Sequence, residues 1–219
     1  MNEFWAKGYS DPHMLNILVH VGFGTLGILV GLVQFARPKG DRLHRLAGRV
    51  FMACGGMVIA TSLVGIASFN HDPFLMTLTV AAFYHGASGW RVLKIKETGP
   101  GATDHALSAG ALAYCLGYVL YARVSGDPGW SAVTIYASLG AVGTVASYDL
   151  LRNIGGAEWL RRTWLCEHVY KTVGALGALV SAAVGNVFED LGVVAQVGPS
   201  AIFLLLSLAF MLPARRVRH

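Results

Sequence analysis

Residues 14–36 read MLNILVHVGFGTLGILVGLVQFA, a stretch whose only ionisable side chain is His20. An α-helix rises about 1.5 Å per residue, so roughly 20 residues cross about 30 Å of hydrocarbon. A surface helix of a soluble protein carries a polar face, and this stretch has none. It predicts a membrane span.

Six more stretches follow the same reading: 46–69, 73–93, 105–122, 130–151, 163–188 and 191–212. Together they predict an all-α membrane protein, a bundle of seven transmembrane helices. No polar linker divides the chain, so residues 1–219 read as one domain. Only 13% of residues are charged and 54% are hydrophobic, with a mean hydropathy of +0.54. A soluble domain carries about a quarter charged residues. The runs lack strict alternation, which disfavours membrane β-strands. Pro199 predicts a kink in the last span. The N-terminal segment, with Glu3, Lys7 and Asp11, lacks a basic leader region, so the first span is expected to stay in the mature protein.

Loop charges give an expected orientation. Arg37, Lys39, Arg42 and Arg45 follow the first span. Arg91, Lys94 and Lys96 close the third, Arg152, Arg161 and Arg162 follow the fifth, and Arg215, Arg216 and Arg218 end the chain. The alternate loops are Asn70 to Asp72, residues 124–129, and Glu189-Asp190. Seven spans put every basic loop on one side, which predicts the N-terminus outside and the C-terminus in the cytoplasm. The net charge of +5 is explained by basic residues meeting anionic headgroups at span ends. No basic patch with interleaved aromatics is present, so no nucleic-acid role is assigned. The three cysteines have no paired spacing and give neither a disulfide framework nor a zinc motif.

Small residues mark tight helix contacts: Gly27 and Gly31 in the first span, and Gly174, Gly177, Ala178, Ser181 and Gly185 in the sixth. Beyond the lipid bilayer, the partners to expect are another membrane protein or a second copy of the chain.

Ionisable side chains inside hydrocarbon are costly and default to functional candidates. His85 and His168 fall at similar expected depths in the cytoplasmic half and form the candidate haem pair, since two facing imidazoles can ligate haem iron axially. His44, His105 and His168 with Asp149 or Glu167 would instead make a divalent-metal set. The competing reading is ordinary contact with headgroups and an i,i+4 pair between Glu167 and Lys171. His20 and Gln34 are further intramembrane polar groups, suited to bonding a neighbouring helix. No HExxH, HxxxH or CxxC motif is present.

The segment from Lys39 to Phe51, with Leu43-His44-Arg45 and Gly48-Arg49, resembles a group of uncharacterised bacterial multi-span membrane proteins of the DUF2306-like type. His20 to Gly22, Gly31 to Phe35, Gly89 to Arg91 and His168 to Asn186 share in the resemblance. It implies the bacterial cytoplasmic (inner) membrane and carries over no activity, cofactor or catalytic residue. His85 stands where it implies an apolar residue. The leading functional expectation is a non-catalytic scaffold or accessory membrane subunit. The alternatives are a haem b or metal redox protein and a small-solute or proton transporter.

Overall fold

The computed structural model describes residues 9–125 and 130–216. Glu3, Lys7, Arg218 and most of the 124–129 loop lie outside the described residues. The fold is all-α. Six α-helices appear among the described residues rather than seven: α1 (Asp11–Ala36), α2 (Arg42–Ser68), α3 (Pro73–Ile95), α4 (Ala102–Ser125), α5 (Ala132–Val187) and α6 (Val193–Arg216). A 3-10 turn, Glu189–Leu191, precedes α6.

Among the described residues, four helices are long and apolar enough to cross a membrane: α1 over Asp11–Phe35, α2, α4, and α6 over Val193–Leu212. The other two carry more polar side chains, among them His85, Arg91 and Lys94 in α3 and Asp149, Arg152, Glu167 and Lys171 in α5.

The expected fifth and sixth spans are joined in α5, and the polar stretch between them is helical too. A straight helix of 56 residues would run about 84 Å. Gly156 breaks it, with φ 78° and ψ −165°, a region almost closed to side-chain-bearing residues. The two arms then fold back on each other. Lys171 Nζ lies 2.6 Å from Asp149 Oδ1, where a straight helix would separate those residues by about 33 Å.

The chain divides into two compact units, up to Thr79 and from Val80 onward. The first holds α1, α2 and the start of α3. Lys39 Nζ closes the end of α1 by bonding the carbonyls of Gln34 and Phe35. Asp41 caps α2 by accepting from the His44 N–H. The helices are antiparallel. Asn16 donates to the Thr61 carbonyl at 3.1 Å, and His20 Nδ1 meets Thr61 Oγ1 at 2.9 Å. Gly27 and Gly31 are both buried, as close helix packing requires.

In the second unit, Ala81 and Tyr84 from α3, Ala111 from α4, and Val142, Val145 and Ala146 from α5 form the main core cluster. A smaller cluster joins Val92 and Ile95 to Leu160, beneath Trp164. α6 packs on the second arm of α5. A Cβ on Gly177 would lie 2.6 Å from Phe203 Cβ. α6 runs on through Pro199, and the Ser200 N–H there is taken by Ser181 Oγ at 2.9 Å. Its Ile202, Leu205, Leu208 and Leu212 are exposed, while buried positions of α5 include Asp149, Arg152, Glu167 and Lys171. Apolar outside and charged inside is the reverse of a water-soluble helix bundle.

Candidate functional site

Four charges meet inside the second unit, and both arms of α5 supply them. Asp149 and Arg152 sit one turn apart on the first arm, Glu167 and Lys171 one turn apart on the second. The i,i+3 and i,i+4 spacings place each pair on one helix face, and the reversal at Gly156 turns the two faces together. All four side chains are at most 4% exposed.

Lys171 lies between the carboxylates, 2.6 Å from Asp149 Oδ1 and 3.4 Å from Glu167 Oε2. Arg152 Nη2 lies 3.1 Å from Asp149 Oδ1, and its Nε 3.4 Å from Glu167 Oε2. The set carries two positive and two negative charges, so it is neutral overall. That balance is what makes burial tolerable, because a lone ion in an apolar interior pays several kcal/mol in lost hydration, while a matched set regains much of it.

Hydroxyl groups complete the carboxylates. Tyr84 of α3 donates to Asp149 Oδ2 at 2.7 Å, with Ser108 Oγ of α4 3.4 Å from the same phenol. Asn153 Nδ2 reaches Ser108 Oγ at 3.5 Å. Glu167 Oε1 accepts from Thr163 at 2.5 Å and from Tyr148 at 3.1 Å. Arg152 Nη1 and Asn153 Oδ1 are buried without a hydrogen-bond partner. Nearby, Arg91 and Asp104 form a bidentate pair at 2.6 and 2.9 Å that fixes the start of α4 to the end of α3.

His85 and His168, the candidate haem pair, each direct Nδ1 at a backbone carbonyl. His85 Nδ1 donates to the Ala81 carbonyl on its own helix, and its ring lies against Gly174. His168 Nδ1 donates to the Gly89 carbonyl. The two rings meet the α3–α5 seam at different residues, His85 at Gly174 and His168 at Gly89. A Cβ on Gly89 would lie 3.0 Å from Lys171 Cβ.

The metal set is not assembled. Among the described residues, no three His, Cys, Asp or Glu side chains gather where they could hold a metal ion. Asp149 and Glu167 spend their oxygens on cations and hydroxyls. His105 is half-buried in the first turn of α4, where its neighbour Asp104 makes the polar contacts. His44 belongs to the first unit, with its Nδ1 buried and unpartnered. His20 bonds Thr61 of the neighbouring helix. Gln34 Nε2 faces Gly48 of α2, while its Oε1 is buried without a partner.

Arg152 reads from sequence as a loop charge, and the structure buries it at 2% exposure. Tyr84, Tyr148, Thr163, Ser108 and Asn153 carry no signal in hydropathy or motif. The detectable trace is helical spacing: 149 with 152, and 163 with 167 and 171, each lie on one face.

No family model, curated protein or solved structure matches this chain.

Proposed function

We propose that this is a DUF2306-like protein of the bacterial cytoplasmic membrane that crosses it seven times, N-terminus outside, and serves as a non-catalytic scaffold or accessory subunit. The arms of α5 at 132–155 and 157–187 would each be a crossing, about 36 Å and about 46 Å long. Their charges pair with one another inside the unit, which lets an otherwise polar helix enter hydrocarbon. Exposed Val133, Tyr136, Leu151 and Ile154 give the first arm an apolar outer surface.

One observation carries the functional reading. The buried charges are turned on each other: both carboxylates, the ammonium and one edge of the guanidinium form a neutral set. Such a set fixes which helix faces meet, a role attested for buried polar groups in other bundles. A scaffold needs that definition of shape.

Two measurements test this. Membrane-impermeant labelling of Arg42→Cys and Arg162→Cys in intact cells should leave both positions unlabelled, and labelling of either would overturn the topology. Turnover by the purified protein that disappears in His168→Ala would overturn the non-catalytic role.

A further inference from the structure

Three arginines line the start of α2. Arg42, Arg45 and Arg49 are spaced i, i+3 and i+7, so they lie within an arc of about 60° and about 10 Å of helix axis. All three are exposed. The row is on the side of α2 turned away from α1, to which Gly48, Val58 and Thr61 are turned instead. Among the described residues, none of the three is ion-paired. Arg45 spends one N–H on the Gly40 carbonyl. The neighbouring acid, Asp41, is taken up by Arg37 and by the His44 N–H.

This placement works against the helix. The N-terminal end of a helix carries about half a positive charge, so cations there are repelled and an arriving anion is stabilised. Arg42 is the first residue of α2, and Arg45 closes its first turn.

Depth says which anion fits. α2 has 27 residues and is about 40 Å long, against about 30 Å of hydrocarbon. Val50 to Ser68 contains no charged residue. The surplus length therefore falls at the N-terminal end and puts the arginine row at the level of lipid phosphates, whose oxygens match the guanidinium fork. Beyond the row the same face continues as Ala53, Gly56 and Ala60, all exposed, with exposed Leu46 and Met57 beside it. A Cβ on Gly56 would meet nothing within 4 Å. The face is cationic where a headgroup lies, and shallow and apolar where an acyl chain lies.

We propose that this face of α2 binds one anionic phospholipid, its phosphate held by Arg42, Arg45 and Arg49 and an acyl chain laid along Ala53, Gly56 and Ala60. Three cations without counter-ions favour a lipid of net negative charge over a zwitterionic one. The inference rests on α2 crossing the membrane and is independent of the scaffold role.

Native mass spectrometry of the full chain, exchanged in detergent against equal amounts of phosphatidylglycerol and phosphatidylcholine, tests it. The wild type should retain phosphatidylglycerol in preference. Arg49→Gln should weaken that retention about fivefold, while Arg161→Gln, which removes an equal charge from an exposed position of α5, should leave it unchanged. Gly56→Leu keeps every charge and has room for its side chain, so it should weaken retention severalfold by filling the acyl path. Inorganic phosphate, which has no acyl chain, should not displace the lipid. Equal retention of the two lipids, equal losses in Arg49→Gln and Arg161→Gln, full retention in Gly56→Leu, displacement by inorganic phosphate, or a second copy of the chain bound in place of the lipid would each overturn the site. A wild type that stays in solution without detergent would instead overturn the membrane reading itself.

Discussion

The phenol of Tyr84 on α3 donates a 2.7 Å hydrogen bond to Asp149 Oδ2 on α5, and this bond ties the buried charges to a neighbouring helix. Tyr84 is 2% exposed, so no water replaces it on the carboxylate. Tyr84→Phe should destabilise the folded protein by about 1–3 kcal/mol, the cost of leaving a buried acceptor unmet. Reversible denaturation in detergent measures this, and an unchanged midpoint would show that the bond is not made in solution.

Removing one member of the charge set should cost more than removing a matched pair. Lys171→Met strips Asp149 of its nearest cation and leaves the set at −1, an expected loss of about 3–5 kcal/mol. Asp149→Asn combined with Lys171→Met restores neutrality and should lie closer to the wild type than Lys171→Met alone. A double variant as unstable as the sum of its parts would argue against a direct pair.

Glycines in α4 and α5 should respond oppositely to a methyl group. Gly177→Ala places a Cβ 2.6 Å from Phe203 Cβ and 3.5 Å from Ser200 Cα, so α6 must shift. A loss of about 1–3 kcal/mol is expected from such overpacking. Gly110 has nothing within 4 Å of a built Cβ, and Gly110→Ala should gain about 0.5–1 kcal/mol from helix propensity. Thermal melts of the two variants moving in the same direction would contradict the packing described.

Acid should act on the cap of α2. Asp41 accepts from the His44 N–H and pairs with Arg37 at 3.2 Å, and these contacts hold its carboxyl below the usual carboxylate range. A depressed folded value means the stabilisation is present above the unfolded value and is lost as pH falls through the folded one. Asparagine also caps helices but does not titrate. The wild type should therefore lose melting temperature more steeply than Asp41→Asn on acidification below the ordinary carboxylate range. Parallel curves would remove Asp41 from the pH response.

The helices were legible because long uncharged runs leave few alternatives. The expected starts and ends at 73–93 and 105–122 fall within three residues of α3 and α4. What hydropathy could not read was the stretch from Arg152 to Arg162, which looks like a loop because it is polar and glycine-containing. It is helical on both sides of Gly156, since Arg152 turns inward to the carboxylates and Glu158 pairs with Arg162 along the helix. The site was half legible for a related reason. Asp149, Glu167 and Lys171 stand out as ions in apolar surroundings, but sequence does not say that a reversal 22 residues wide brings Lys171 onto Asp149. Histidine drew attention because it ligates metals, yet His85 and His168 use their Nδ1 atoms on backbone carbonyls.

The reversal at Gly156 also bears on how such a chain reaches its membrane. On the seven-crossing proposal, the first arm leaves the ribosome carrying Asp149 and Arg152, while their counter-ions are still to be synthesised. It gains a comfortable place in lipid only once Glu167 and Lys171 have emerged, so the two arms should enter as one hairpin, and biogenesis should stall on a chain cut at the turn.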